Sequence, residues 1–308
     1  RENLFFCPGV VAAYAALINL LTERGDGIVL QRPIYYPFTN KANSNGRIPV
    51  DNALIYENGA YRIDFEDLDR KMADPANKVL VVCSPHNPTG RVWEREEIEK
   101  AMEIYKANEC VVISDEIWSD LTLPGFKHIP TQSVSKDARE RTIALYAPSK
   151  TFNLAGLVGS YHIIYNRMLR DRVEKASSLS HYNSPNVLSV HALIGAYRPE
   201  GYQWVDELRE VLKSNADYAY NYILEHFKGV KLSKPEGTYM LYLDCEEWCK
   251  EHDTDMDTLL KAGVAVGVIW QDGRPFHRPY AIRLNLALPH VLVKEAFDRM
   301  DKYVFNAK

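Results

Sequence analysis

Three polar segments of this chain carry the residues best suited to chemistry, and each follows directly after a short apolar run. They are residues 84–90 (SPHNPTG), 114–118 (SDEIW) and 147–153 (APSKTFN). Within them, Asn87 offers an amide, Asp115 a carboxylate and Lys150 a primary amine. A lysine amine is the type of group that can bond covalently to a carbonyl compound or move a proton.

Each segment also has a simpler structural explanation. Asn-Pro and Thr-Gly are common turn sequences, an Asp at a strand end often caps a helix, and a single Lys in a polar loop is usually solvated. For one segment alone that explanation is preferable. Three such segments at successive strand ends favour a shared site, because open α/β sheets bind ligands beyond the carboxyl ends of their strands. We therefore predict that Asn87, Asp115 and Lys150 line one crevice.

Apolar patterning indicates the elements that position these residues. Short apolar runs predict buried strands at residues 27–30, 78–83, 110–114, 142–146 and 161–165. Their continuous apolar character, without alternation, is typical of a parallel sheet that is covered on both faces. Between the second and third runs, Ile98, Met102 and Tyr105 recur at helical spacing. Residues 93–108 are therefore predicted to form the crossover helix of a right-handed βαβ unit.

The pattern changes after about residue 202. Residues 203–228 predict one long helix, residues 231–244 a strand pair, residues 281–287 a further strand and residues 291–305 a closing helix. We predict an α/β protein in two domains. Residues 1–202 form the large domain around a mostly parallel, helix-covered sheet, and residues 203–308 form a smaller α+β domain.

Composition and charge argue against several classes of protein. The formal charge is −4, from 37 basic and 41 acidic residues, which gives no reason to expect a nucleic-acid partner. No apolar run approaches the length of a membrane span. Because the sequence opens RENL, without a charged segment followed by an apolar one, we expect no signal peptide. The five cysteines lack the spacing of a disulfide framework or metal site. We predict buried thiols, no bound metal and a cytoplasmic location.

Read in order, the runs SPHNPTG, SDEI and PSKTFNLAGL resemble the fold-type-I pyridoxal-phosphate (PLP) enzymes, the aspartate aminotransferase superfamily of class I and II. Within that superfamily the chain is similar to the MalY/PatB class of cystathionine β-lyases. The runs FFCPGVV, QRPIYYPF, KPEGTYMLYLD and IRLNLALP indicate the same class, so the resemblance covers essentially the whole chain. It implies a PLP-dependent transferase-like fold, PLP as the cofactor and a homodimer.

The resemblance implies roles for the residues around the cofactor ring. Lys150 holds PLP as a Schiff base and then moves the Cα proton of the substrate. Asp115 keeps the ring nitrogen protonated, and Asn87 hydrogen-bonds the phenolic oxygen. Tyr35 matches the aromatic residue that stacks on the ring, although the adjacent Tyr36 leaves the register open.

The phosphate and the substrate carboxylate have their own expected partners. The residues that match the phosphate-binding pattern of the family are Gly9, Val10, Val11 and Ser149. The first three precede an apolar helix predicted at residues 12–21, and the N–H groups at a helix start suit an anion. Arg283 matches the family residue that grips the substrate carboxylate through a bidentate guanidinium.

Some positions depart from the family pattern. Ala147 stands where many aminotransferases have Ser, and Val158 stands where many have Arg, so both residues favour the β-lyase branch. Trp118 stands where that branch often has His and aminotransferases have Tyr. The family's N-terminal segment helps close the substrate site and donates a Tyr across the dimer interface. We expect that segment to be absent from this sequence.

These residues leave more than one function open. The first hypothesis is α,β-elimination from cystathionine or another S-substituted L-cysteine, which gives pyruvate, ammonia and a thiol. The second is transamination of an L-amino acid, which uses the same residues. Both imply a small amino-acid substrate as the partner. A PLP-binding regulatory protein with little catalysis ranks third, and a plain α/β binding domain without PLP is the remaining alternative.

Overall fold

Strands and helices alternate through most of the chain in the computed structural model, which describes residues 2–180 and 183–307. The strands are β1 Leu4–Cys7, β2 Gly27–Arg32, β3 Ile48–Ala53, β4 Ile55–Glu57, β5 Ala60–Arg62, β6 Asn77–Cys83, β7 Val111–Asp115, β8 Thr142–Tyr146, β9 Ser160–Ile164, β10 Lys231–Leu232, β11 Met240–Asp244, β12 Gln271–Asp272 and β13 Ala281–Asn285.

The helices are α1 Val10–Leu21, α2 Pro37–Ser44, α3 Phe65–Met72, α4 Arg95–Ala107, α5 Lys136–Arg141, α6 Pro148–Thr151, α7 Arg167–Ser180, α8 Val187–Ala196, α9 Pro199–His226, α10 Glu246–Glu251, α11 Met256–Ala265 and α12 His290–Met300. A π-helical turn, Asp301–Phe305, continues α12. Single 3₁₀ turns occupy Thr131–Ser133, Ala155–Leu157 and Arg274–Phe276.

The large sheet has the strand order β1-β9-β8-β7-β6-β2-β3. The strands from β3 through β2, β6 and β7 to β8 are parallel, as the apolar runs predict. The strand predicted at residues 161–165 exists as β9, but it is antiparallel to both β8 and β1, so its parallel assignment was wrong. The connection from β8 through α6 contains no long crossover helix, and the chain therefore returns in the opposite direction.

Helices cover both faces of the large sheet. On one face, α4 buries Ile98, Met102 and Tyr105, the residues whose spacing predicts this helix. On the other face, α1 buries Leu17 and Ile18. The sheet is thus enclosed between apolar helix faces, and its polar residues collect at the strand ends.

The C-terminal part of the chain forms a second sheet, antiparallel throughout, in the order β10-β11-β13-β12. The helices α9 and α12 pack on it around Leu212, Leu241, Ile282 and Phe297. The predicted α/β fold with a smaller α+β part is confirmed. Helix α9 spans the predicted division between residues 202 and 203, and that division stays a prediction.

The cysteines and the helices add three observations about residues 2–180 and 183–307. All five cysteines in this part of the chain are buried, and none forms a disulfide. The same residues contain no cluster of His, Cys, Asp or Glu that could hold a metal ion. None of the helices described is both long enough and apolar enough to cross a membrane.

Candidate active site

A cavity of about 870 Å³ opens beyond the carboxyl ends of β6, β7 and β8. Every residue that the sequence assigns to cofactor or substrate lines it, namely Gly9, Val10, Val11, Tyr35, Asn87, Asp115, Ser149, Lys150 and Arg283. The small sheet contributes Met240 from β11 and Arg283 from β13. The cavity therefore lies where the two sheets meet, and residues distant in sequence face each other across it.

Asp115 is the last residue of β7, and its carboxyl group is buried in the cavity wall. Its Oδ1 accepts a hydrogen bond from the Ile117 N–H at 3.2 Å. Burial raises the pKa of Asp115 to about 7, and the neighbouring Glu116 carboxylate acts in the same direction while the Lys150 amine opposes it. A buried carboxyl group with a raised pKa is suited to a ligand group that carries a proton or a positive charge.

A second buried carboxylate, Glu116, lies behind Asp115 and outside the cavity lining. It accepts hydrogen bonds from His128 Nε2 at 2.8 Å, the Tyr146 hydroxyl at 2.6 Å and the Thr131 N–H at 3.0 Å. Burial acts to raise the pKa of Glu116, but these donors hold it below its ordinary value. Glu116 is not among the site residues predicted from the sequence, although the second acid of SDEI was a signal. Its hydrogen bonds fix the end of β7 and therefore the position of Asp115.

Lys150 lies in the short helix α6, directly beyond β8. The hydroxyl of the next residue, Thr151, donates a 3.0 Å hydrogen bond to Asp120 Oδ2 and so anchors α6 beside the cavity. The Lys150 Nζ lies 5.7 Å from the centroid of the Trp118 ring. Trp118 is buried, and its ring packs edge-to-face on Tyr239 at 4.7 Å. The amine is thus held against an aromatic wall.

The electrostatic surroundings of Lys150 lower the pKa of its amine and so make the neutral form easier to reach. Burial lowers its pKa, and the positive charge of Arg283 lowers it further, while the Asp115 carboxylate opposes both effects. A neutral amine has a free lone pair, which is the form that attacks a carbonyl carbon or accepts a proton. The position and the environment of Lys150 therefore suit a nucleophile.

The start of α1 forms another part of the cavity wall. Gly9 precedes the helix with φ 98°, a conformation that favours glycine. Its N–H donates to the Ser160 hydroxyl at 2.9 Å and is therefore already used within the protein. The contribution of Gly9 to the cavity is thus the backbone conformation that begins α1. The N–H groups of Val10 and Val11 belong to the first turn of the helix and have no acceptor within it. Open N–H groups at the positive end of a helix are suited to an anion.

Arg283 lies in the middle of β13 and reaches into the cavity. Its Nη1 donates to Asn87 Oδ1 at 2.7 Å, and its Nη2 donates to Gln271 Oε1. The guanidinium carbon lies 4.9 Å from the centroid of the Phe276 ring. No carboxylate of residues 2–180 or 183–307 forms an ion pair with Arg283, and burial lowers its pKa. A partly buried cation without an anionic partner indicates a site for an anionic ligand.

The structure also distinguishes Tyr35 from Tyr36. Tyr35 lines the cavity. Tyr36 is not among the lining residues and packs edge-to-face on Phe276, with 5.6 Å between ring centroids. Burial is the main cause that raises the pKa of the Tyr35 hydroxyl. The aromatic wall of the cavity on this side is therefore the ring of Tyr35.

The donor set of the cavity fits PLP, group by group. The open N–H groups at the start of α1 suit its phosphate, and the buried Asp115 suits its ring nitrogen. Lys150 presents an amine to its aldehyde, and Asn87 presents an amide to its phenolic oxygen. Arg283 is left for a second anion, such as the carboxylate of an amino acid.

Comparison with known proteins gives matches along nearly the whole chain. Residues 1–300 match the family described as aminotransferase class I and II. The chain is 37% identical over 265 residues to cystathionine beta-lyase PatB of Bacillus subtilis (strain 168), across 86% of this chain and 68% of PatB. It is 31% identical over 293 residues to protein MalY of Escherichia coli (strain K12), across 94% of this chain and 73% of MalY.

A solved structure gives a similarly extensive match. The crystal structure of cystalysin from Treponema denticola, which contains a pyridoxal 5′-phosphate cofactor, superimposes with a TM-score of 0.93. The two sequences are 30% identical, and the superposition covers 100% of this chain and 77% of cystalysin.

Proposed function

This chain belongs to the class I and II aminotransferase family, and we propose that it is a PLP-dependent carbon–sulfur lyase. The reaction is α,β-elimination from cystathionine or another S-substituted L-cysteine. With one water consumed, the substrate gives pyruvate, ammonia and a thiol. The observation that carries PLP-dependent chemistry on an amino acid is that Lys150, Asp115, Asn87 and Arg283 line one cavity. No carboxylate of residues 2–180 and 183–307 pairs with Arg283, whose Nη1 bonds Asn87 instead.

Each of these residues has a distinct task in such a reaction. When bound, PLP supplies an electron-withdrawing ring that stabilises negative charge at the substrate Cα. Asp115 holds a proton at the ring nitrogen, and Asn87 orients the ring through its amide. Arg283 grips the substrate carboxylate, which orients the Cα–H bond toward Lys150. Lys150 Nζ accepts the Cα proton, and the Cβ–S bond then breaks with its electron pair leaving on sulfur.

Two side chains that line the cavity favour elimination as the outcome. Val158 and Ala147 stand where many aminotransferases have Arg and Ser. The relative at 37% identity is named a cystathionine beta-lyase, which supports the same choice. Transamination of an L-amino acid is the second candidate, because the family itself includes aminotransferases and the residues around Lys150 serve both reactions.

Product analysis distinguishes the two reactions. Protein loaded with PLP is incubated with L-cystathionine or S-methyl-L-cysteine in the absence of any keto acid, and pyruvate is followed with lactate dehydrogenase. We expect continuous pyruvate release, with the thiol and ammonia in equal amounts. Lys150→Ala serves as the inactive control. Product formation only after a keto-acid acceptor is added would instead establish an aminotransferase.

We also propose that the protein is a homodimer and that α8 contributes to the interface. Helix α8 is strongly apolar, yet Val187 and Leu188 are each 66% exposed and Ile194 is 50% exposed. Its start lies beside the cavity wall, since Asn186 Nδ2 donates to the Leu157 carbonyl at 3.2 Å. We call Val187, Leu188 and Ile194 the α8 face. The family resemblance implies a homodimer, and we assign the second copy to the α8 face because this face is apolar and exposed.

A further inference from the structure

We infer that Gln271 is a positioning residue for the Arg283 guanidinium, and that its neutral amide keeps the positive charge of that site available to the substrate. The inference rests on the proposed function, in which Arg283 binds the substrate carboxylate. Sequence motifs do not identify Gln271, and it does not line the cavity. Its effect on a substrate is therefore transmitted through Arg283.

The register of the small sheet places the two side chains together. Gln271 in β12 and Arg283 in β13 are directly opposite each other in an antiparallel pair. Gln271 Oε1 accepts a hydrogen bond from Arg283 Nη2. Side chains opposite each other in such a pair point to the same face of the sheet. The contact is thus set by the backbone pairing and not by a flexible loop.

The guanidinium is held from three sides. Gln271 holds Nη2, Asn87 holds Nη1 at 2.7 Å, and the buried Phe276 ring lies 4.9 Å from the central carbon. These contacts restrict rotation of the guanidinium plane while some of its N–H donors remain for a ligand. A preformed donor pair loses less conformational freedom when a carboxylate binds.

The hydrogen bond from Arg283 to residue 271 leaves the guanidinium charge available only if the acceptor at position 271 is neutral. A carboxylate at position 271 would form an ion pair with Arg283 and compete with the substrate for the same charge. The adjacent acid, Asp272, pairs instead with Arg274, whose Nε lies 2.8 Å from Asp272 Oδ2. Strand β12 therefore places the Gln271 amide next to Arg283, whereas the Asp272 carboxylate contacts Arg274.

The test uses methylthiopropanoate, the analogue of S-methyl-L-cysteine that lacks the amino group. It retains the carboxylate but cannot bond covalently to the cofactor. Its dissociation constant for the PLP-loaded protein is measured by calorimetry for wild type, Gln271→Glu and Gln271→Met. Its methyl ester is the uncharged control ligand. Gln203→Glu and Gln203→Met are matched control variants, because Gln203 is exposed on α9 and does not line the cavity.

We expect Gln271→Glu to weaken binding of the carboxylate by about tenfold or more, and Gln271→Met by a few-fold, while ester binding stays unchanged. Steady-state kinetics with S-methyl-L-cysteine should show a raised KM and a kcat close to wild type in both variants. Thermal unfolding curves establish that each variant is folded.

The possible failures are distinguishable. Wild type that binds the analogue and turns over substrate, together with Gln271 variants that bind the analogue equally well, would overturn the role of Gln271 alone. Wild type that neither binds the analogue nor releases pyruvate would overturn the proposed function and this inference together. A fall in kcat at unchanged KM would also reject positioning of the carboxylate as the role of Gln271.

Discussion

Arg283 Nη1 and Asn87 Oδ1 form a 2.7 Å hydrogen bond that joins the small antiparallel sheet to the loop beyond β6 of the large sheet. The residue proposed to hold the substrate carboxylate and the residue proposed to orient the cofactor therefore contact each other directly. A shift of one sheet relative to the other would change the distance between these two binding positions. The geometry of the site thus depends on how the two sheets pack.

Replacing Arg283 with Lys should raise KM for S-methyl-L-cysteine by about one to two orders of magnitude, since bidentate hydrogen bonding of a carboxylate is lost. The single ammonium retains the charge, so kcat should change much less. Initial rates of pyruvate release over a range of substrate concentrations give both constants. The Arg95→Lys variant, at an exposed position of α4 outside the cavity, is the control and should match wild type. An unchanged KM in Arg283→Lys would place the carboxylate elsewhere.

Lys150→Ala should abolish both the yellow colour of the lysine-bound cofactor and pyruvate release. The direct assignment comes from reducing the PLP-loaded protein with borohydride and locating the modified peptide by mass spectrometry. We expect the cofactor mass on the peptide that contains Lys150. Lys127→Ala, at an exposed position, should keep both colour and activity. Modification of any other lysine in wild type would be incompatible with the proposal.

The Asp115 carboxyl should make the stability of the cofactor-free protein depend on pH. Burial raises its pKa to about 7 in the folded protein, whereas 3.8 is the ordinary value. The folded state therefore keeps a proton that the unfolded chain releases, and the contribution of Asp115 to stability falls as pH rises from about 4 to about 7. The Asn side chain in Asp115→Asn does not titrate, so the stability of this variant should not fall with pH for this reason.

The measurement is the free energy of unfolding in urea at several pH values from 4 to 8. Relative to wild type, Asp115→Asn should gain stability as pH rises, by on the order of a few kcal/mol across this window. The exposed Asp69→Asn variant corrects for the change of charge elsewhere on the surface. A constant difference between Asp115→Asn and wild type would show that the folded and unfolded pKa values are alike.

Local patterns were sufficient for much of the large sheet. The apolar run at residues 142–146 coincides with β8, and the helical spacing of Ile98, Met102 and Tyr105 correctly predicts α4. A run that is buried on both faces must be apolar throughout, so it is visible without any knowledge of its neighbours. By contrast, the edge strand β3 (IPVDNA) is partly exposed and contains polar residues, and no apolar run marks it.

The relationships between distant elements could not be obtained from local patterns. The direction of β9 depends on its connection to β8, because the same apolar run suits a parallel or an antiparallel strand. The contact of Gln271 with Arg283 depends on strand register, and the Arg283–Asn87 bond joins residues 196 positions apart. The family motifs identify the residues proposed to bind the ligand. The residues that support them are harder to find, because Gln271 stands in none of these motifs and the hydrogen bonds of Glu116 are visible only in the packed structure.

The α8 face provides the last prediction. If a second copy covers it, Leu188→Asp buries a charge in an apolar interface, and Val187→Asp does the same. We expect wild type to have the mass of a dimer in light scattering coupled to size-exclusion chromatography, and both variants to shift toward the monomer at equal concentration. Leu224→Asp is the matched control, because Leu224 is 59% exposed on α9 and outside the α8 face. If the dimer persists in both α8 variants but dissociates in Leu224→Asp, the interface lies on α9 and the proposal for α8 is wrong.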